Sequence, residues 1–176
     1  YSFCNCSSLT SIQIPNSVIS IGDYSFSNCS SLTSIQMPNN VTSFGYYSFS
    51  YCSSLVSISI PDRITSIGNY IFFYCTSLAS INLSNNIKTI GSGAFFGCKS
   101  LTSFDIPNEL ESISSNLFYD CSSLKSISLP NSITLIGNDA FHGCISLSMI
   151  NLPDNLILIG SGAFYNCNSI VSINMP

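Results

Sequence analysis

The chain has 176 residues, 45% of them hydrophobic and only 7% charged, with a formal net charge of −4. That hydrophobic fraction is ample for a continuous core and excludes disorder, which needs low hydrophobicity and high charge. The acidic balance leaves no basic footprint for nucleic acid or anionic lipid, and no apolar run approaches the ~18 residues needed to span a bilayer.

A 23-residue period governs the rest: cysteine falls at 6, 29, 52, 75, 98, 121, 144 and 167, and phenylalanine at 3, 26, 49, 72, 95, 118, 141 and 164. A fixed period of this length means stacked structural units. Here it gives a solenoid of about seven and a half coils. The chain opens at Tyr1 and stops at Pro176, both inside a repeat. It is therefore expected to be one repeat domain over 1–176, a segment of a longer protein, with uncapped ends open to self-association.

Each coil begins with a strand. Leu32, Ile35 and Met37 alternate with polar residues, and the pattern returns as Leu55/Ile58/Ile60, Leu78/Ile81/Leu83 and Leu101/Phe104/Ile106. A strand can pair only with its copies one coil away, so the sheet must be parallel, at a spacing of about 4.8 Å. Proline ends the strand at 15, 38, 61, 107, 130, 153 and 176, with Ser84 the lone replacement. With the Asn or Asp that follows, it signals a turn.

A second apolar piece returns along the other side, as in Val18/Ile21, Val41/Phe44 and Ile133/Ile136. Glycine follows at 22, 45, 68, 91, 137 and 160, for a positive φ or a close approach at a corner. The last piece, as in Gly93-Ala-Phe-Phe-Gly-Cys98, sets Phe95 and Cys98 three apart. That spacing suits one turn of α- or 3₁₀-helix with both side chains inward.

The Leu-x-x-Ile-x-Ile strand, the coil length and the Ala-Phe-x-x-Cys turn together resemble leucine-rich repeats, and more narrowly the BspA-like class, over essentially the whole chain. The resemblance implies a curved leucine-rich-repeat solenoid, with a parallel β-sheet on the concave face and short strands or 3₁₀ turns on the convex side. It further implies a cell-surface or secreted protein of a host-associated organism, several members of the class being linked to adhesion to host cells or matrix proteins. Fold alone does not fix function.

The eight in-phase cysteines sit next to an inward phenylalanine and read as small hydrophobes; disulfides between neighbours and a metal site are the alternatives. Cys4-Asn5-Cys6 is too tight for the usual zinc spacing. Cys4 falls off the ladder, in a slot held elsewhere by Ser27, Ser50, Phe73, Phe96, Tyr119, His142 and Tyr165. The single histidine, His142, has no fixed relation to a serine or aspartate, and no glycine-rich phosphate loop leads from a strand into a helix. No catalytic, cofactor or metal residue is assigned, and an enzyme is not expected.

Binding is expected on the concave face. One outward row, Ser11, Ser34, Ser57, Ser80, Ser103, Ser126, Met149 and Ser172, is nearly uniform and reads as a hydrogen-bonded ladder supporting the sheet. The next row, Gln13, Gln36, Ser59, Asn82, Asp105, Ser128, Asn151 and Asn174, varies and is the first candidate for protein contact. An aromatic patch in the first half, Tyr24, Tyr47, Tyr70, Tyr51 and Tyr74, is the second. Tyrosine combines contact area with a polar tip, and packing of the rings on one another is the competing reading.

The coil from Lys99 to Cys121 departs from the rest, carrying Phe104, Asp105, Glu109, Glu111 and Ser114 in place of glycine. Its carboxylates read as solvated charge, with a calcium site as the alternative. Lys88 and Glu111 hold equivalent slots and are expected to pair across the outer face, an exposed contact worth ~0–1 kcal/mol. Four sequons, at Asn5, Asn28, Asn40 and Asn82, favour no compartment.

The expected function is a non-enzymatic recognition module of a cell-surface or secreted adhesin-like protein. Its partner would be a host-surface or matrix protein, glycoproteins included; nucleic acid, membrane insertion of this segment and cofactors are not expected. The alternative is a cytoplasmic scaffold or assembly protein.

Overall fold

The computed structural model describes residues 1–173; Asn174 and Pro176 lie outside them. The chain is a leucine-rich-repeat solenoid built from short parallel strands. In chain order they are β1 (Ser20–Ile21), β2 (Ser43–Phe44), β3 (Ser57–Ser59), β4 (Ser66–Ile67), β5 (Ser80–Asn82), β6 (Thr89–Ile90), β7 (Ser112–Ile113), β8 (Ser126–Ser128), β9 (Leu135–Ile136), β10 (Met149–Asn151) and β11 (Leu158–Ile159).

Every pairing is parallel and in the register of the repeat. On the concave face β3 pairs with β5 (Ile58↔Ile81) and β8 with β10 (Ile127↔Ile150). Single bridges at Gln13↔Gln36, Ser34↔Ser57 and Asp105↔Ser128 extend that ladder. The return pieces form a second ladder, β1 with β2, β4 with β6, and β7–β9–β11. The concave strands are shorter than the alternation predicts. The first apolar residue of each coil is already committed to the preceding turn: the N–H groups of Leu32, Leu55 and Leu78 donate to Cys29, Cys52 and Cys75 carbonyls at 3.0 Å.

Between the coil faces runs one continuous core. The inward phenylalanines stack in near-parallel pairs, from Phe3–Phe26 at 5.2 Å to Phe95–Phe118 at 5.8 Å between centroids. Each is packed among the inward leucines and isoleucines of its own coil and the next.

The Phe–Cys segment does not form the expected helical turn. In a helix every N–H bonds within the segment, whereas here donors alternate. Ser27 N–H and Cys29 N–H close turns onto Tyr24 and Phe26, while Tyr24, Phe26 and Asn28 N–H reach across to Tyr46, Ser48 and Ser50 of the next coil. The alternation requires left-handed backbone at two positions per coil. They are held by Tyr24 and Asn28, Tyr47 and Tyr51, Tyr70 and Tyr74, Gly93 and Gly97, then Asn116 and Asp120. The corner glycines lie outside the left-handed region, and four of the six, Gly45, Gly91, Gly137 and Gly160, answer to close approach. A Cβ on Gly91 would stand 2.6 Å from Asn69 N, and one on Gly137 2.5 Å from Ser115 N.

Both ladders open together between the coils of Cys75 and Cys98, and the return ladder opens once more between β2 and β4. Among the described residues, β5 has no partner at 103–105 and β6 none in β7. At four corners the glycine N–H bonds the coil before it, Gly45 to Ile21 O, Gly91 to Ile67 O, Gly137 to Ile113 O and Gly160 to Ile136 O, at 2.7–2.8 Å; Gly68, beside the opening between β2 and β4, makes no such bond. At the junction where both ladders open, Ser114 replaces that glycine, and its hydroxyl bonds Ile90 O instead. A Cβ at Gly45, Gly91, Gly137 or Gly160 would collide with the preceding backbone, whereas one at Gly68, beside the other opening, would meet nothing nearer than 3.7 Å. The turn edge holds across the gap through Gly93 N–H to Ser115 O and Phe95 N–H to Leu117 O, both 3.1 Å, and Gly97 N–H to Tyr119 O, 2.7 Å.

Phe95 is fully buried, whereas Ile81 is only partly so. Phe95→Ala is expected to cost about 3–5 kcal/mol and Ile81→Ala about 1–2 kcal/mol in urea unfolding. Equal losses at the two positions would contradict this placement of the core.

Candidate recognition surfaces

On the concave face, strand alternation buries Ile58 and Ile127 and turns their neighbours outward. Gln13, Gln36, Ser59, Asn82, Asp105, Ser128 and Asn151 are all exposed. The serine row beside them is also exposed, but it is not the expected ladder: among the described residues, no side-chain hydrogen bond joins its members. The link that forms lies in the other row, Asn82 Nδ2–H to Ser59 Oγ at 3.4 Å. A concavity of about 430 Å³ opens in the second half of this face, lined by Asp105, Ser128 and Asn151 among others.

The tyrosines form the turn edge. Tyr1, Tyr24, Tyr47 and Tyr70 stack at 4.9–5.0 Å, and Tyr51 on Tyr74 at 5.7 Å. Tyr24, Tyr47, Tyr70, Tyr51 and Tyr74 occupy the left-handed backbone positions. That conformation costs a bulky residue about 1–2 kcal/mol, which stacking offsets by about 0.5–1.5 kcal/mol per pair.

The confinement of these tyrosines to the first half has a packing cause. The slot between them holds Ser27 and Ser50, buried and bonded Oγ to Oγ at 2.8 Å beneath the rings. From Phe73 onward that middle slot is aromatic, stacking as Phe96–Tyr119 at 4.3 Å and Tyr119–His142 at 4.2 Å. The flanking slots then shrink to residues such as Gly93, Gly97 and Gly143. A Cβ on Gly93 would lie 2.3 Å from the ring of Tyr70. Aromatic volume thus passes from the flanks to the centre, and ring faces are spent on each other. Of the five patch tyrosines only Tyr51 is exposed; the other four are half-buried.

The thiols are structural donors. All nine are free, seven of them buried. Each buried thiol donates to a phenylalanine carbonyl of the preceding coil, from Cys29 to Phe3 O at 3.1 Å through Cys75 to Phe49 O at 3.0 Å to Cys167 to Phe141 O at 3.0 Å. Burial pushes the Cys52 thiol up to about 12 and raises Cys75 and Cys98 well above 9.0, neighbouring thiols adding to the effect.

Other candidates resolve simply. His142 lies between Tyr119 and Tyr165 with Nδ1 3.1 Å from Asp139 Oδ1, a partner that the sequence did not suggest. Lys88 pairs with Glu109, not Glu111, at 3.5 Å, both ends exposed. The proline turn carries Glu109 back toward the preceding coil, which equivalent-slot counting ignores. Among the described residues no group of three His, Cys, Asp or Glu side chains is placed to hold a metal ion. Ser48, in a slot held elsewhere by Ile71 and Ala94, has a buried hydroxyl with no partner.

Fold and surface together define a leucine-rich-repeat protein. Residues 1–125 and 111–176 match the BspA type leucine-rich repeat region, in six copies, slightly fewer than the spacing counts, and the chain belongs to that family. A T. pallidum leucine-rich-repeat protein is 27% identical, with TM-score 0.83, covering 92% of this chain and 78% of that one. A Bacteroides ovatus leucine-rich-repeat protein is 33% identical, with TM-score 0.86, covering 98% of this chain and 50% of that one. The pneumococcal vaccine antigen PcpA shares the fold at 21% identity and TM-score 0.61, covering 80% of this chain and 41% of that one. No curated protein matches the chain. Such a solenoid is suited to protein–protein interaction, and the fold is typically non-enzymatic. No helix of the structure is long and apolar enough to cross a membrane.

The raised thiols give stability a sign with pH. Unfolded thiols lose their protons near the ordinary 9.0, while folded Cys52 holds its proton to about 12. Stability is therefore full below about pH 9 and falls above it, by ~1.4 kcal/mol per pH unit for each such thiol. Urea unfolding is expected to be level from pH 6 to 8 and to weaken steeply by pH 10.5, with a shallower slope for Cys75→Ala. An unchanged midpoint across that range would contradict the burial of these thiols.

Proposed function

We propose that this chain is a recognition module of a cell-surface or secreted protein and binds a partner protein through its concave face. The observation that carries the reading is the concave row itself. Gln13, Gln36, Ser59, Asn82, Asp105, Ser128 and Asn151 change in identity on a frame whose inward residues barely change, and all seven face solvent. A rigid scaffold with a varying polar surface loses little entropy on binding, which favours a broad protein partner. Low charge makes contact depend on hydrogen bonds and shape. The tyrosine edge is second, because its ring faces are already occupied by one another.

The surface location draws on the BspA-type repeat and on the name of the pneumococcal vaccine antigen with the same fold. Under this reading the partner is a host-surface or matrix protein, glycoproteins included.

The test has two parts. Intact producing cells treated with a membrane-impermeant biotin reagent should yield labelled protein. Beads coated with the domain should adhere to cultured host cells or immobilised matrix proteins. Replacing Gln13, Gln36 and Asn82 together with Ala should lower adhesion about tenfold, as loss of interface contacts does, without changing the unfolding midpoint. Labelling only after lysis would overturn the surface reading and favour the cytoplasmic scaffold.

A further inference from the structure

In a repeat protein whatever the scaffold needs recurs in every coil, so a side chain that breaks the pattern without serving the fold answers to something outside it. Two such breaks stand out on the concave face. Asp105 is the single charged residue in the two outward rows, and Met149 the single apolar one. They are 44 positions apart in the chain, yet both line the concavity of about 430 Å³. Its polar lining includes Asn108, Ser126, Ser128 and Asn151.

The carboxylate of Asp105 is uncompensated. The chain has four cationic side chains, Arg63, Lys88, Lys99 and Lys125, and none lines the concavity. Among the described residues, none stands within ion-pair distance of Asp105 and no side-chain hydrogen bond engages it. Around this anion stand the amides of Asn108 and Asn151 and the hydroxyls of Ser126 and Ser128, which donate as well as accept and can turn their oxygens toward a cation. The same concavity is lined by the exposed thioether side chain of Met149. A charged acceptor, neutral acceptors and an apolar wall fit a ligand with a cationic head on an aliphatic stem.

A saccharide fits less well, because sugar rings stack on free aromatic faces. Phe104 lines the concavity but is 5% exposed, its ring packed 4.9 Å from both Phe95 and Phe118.

Resting on the recognition reading above, we infer that this concavity receives an arginine side chain of the partner protein: its guanidinium on Asp105, Asn108 and Asn151, its stem against Met149. Arginine fits better than lysine because its planar fork bonds a carboxylate bidentately and supplies donors for the amide oxygens.

The probe is Nα-acetyl-arginine methylamide, titrated into the isotopically labelled chain at low salt and followed by backbone amide shifts. Nα-acetyl-norleucine methylamide and N-acetylglucosamine serve as comparisons. The arginine probe should move the amides of 103–108, 126–128 and 149–151. Asp105→Asn should weaken it about tenfold, the worth of one charge-assisted hydrogen bond, and about 0.5 M salt should weaken it likewise. Silence of the arginine probe, equal shifts from norleucine, or binding unaffected by Asp105→Asn would each overturn the inference. Shifts from N-acetylglucosamine with arginine silent would replace it with a saccharide site. Adhesion that survives Asp105→Asn but is lost in the Gln13, Gln36 and Asn82 variant would sink the arginine site and leave the recognition reading standing. Adhesion lost in neither variant would sink the concave-face reading itself.

Discussion

Seven of the eight in-phase phenylalanine carbonyls, from Phe3 to Phe141, accept two hydrogens at once, and the solenoid hangs on that rung. Phe49 O takes Cys52 N–H at 3.3 Å within its own coil and Cys75 Sγ–H at 3.0 Å from the next. A buried carbonyl left short of partners is costly, and a thiol supplies a donor while filling its site as a small hydrophobe. The ring on the same residue stacks on its counterpart one coil away. Backbone satisfaction, core packing and the rise between coils therefore meet in one pair of residues. An inserted residue between Phe and Cys would separate carbonyl from thiol, which accounts for an interval that never varies from 23 in this chain.

A scaffold this repetitive leaves recognition to the positions that do not repeat. Two kinds of irregularity are present and they differ physically. Along the turn edge, tyrosine flanks over serine give way to a central aromatic row between small flanks, which redistributes volume and keeps the edge sealed. On the concave face, Asp105 and Met149 compensate nothing in the fold; they change what the surface offers to a partner. With only 7% of residues charged, a single unpaired carboxylate stands out in the local potential.

Much of this architecture is legible in the sequence because one signal is sampled eight times. Chance substitutions such as Ser84 for proline average out, so the parallel register, the inward phenylalanines and the outward concave rows follow from spacing alone. The turn segment was harder to read. A Phe and a Cys three apart fit a helical turn and an alternating turn equally well, and only the left-handed slots distinguish them. Gly93, Gly97, Asn116, Asp120, Asp139 and Gly143 carry that signal, since these residue types tolerate positive φ. Tyr24, Tyr47 and Tyr70 mask it in the first half, because stacking overrides their backbone preference. The Lys88–Glu109 contact was missed for a related reason: counting slots finds stacked neighbours, not those brought together by a turn. Ser114 marked an unusual coil, but that both ladders open beside it is seen only in three dimensions.

The central claim is that each coil is held by bonds to the coil next to it, and that at the junction beside Ser114 they are missing on two faces while the turn edge stays closed. Amide hydrogen exchange measures this directly. Phe95 and Gly97 N–H bond across the junction to Leu117 and Tyr119. Thr102 and Glu111 N–H lack the cross-coil bonds that Lys125 and Thr134 make one coil later. The account predicts slow exchange at Phe95 and Gly97 and fast exchange at Thr102 and Glu111. Equal protection at all four amides would contradict it.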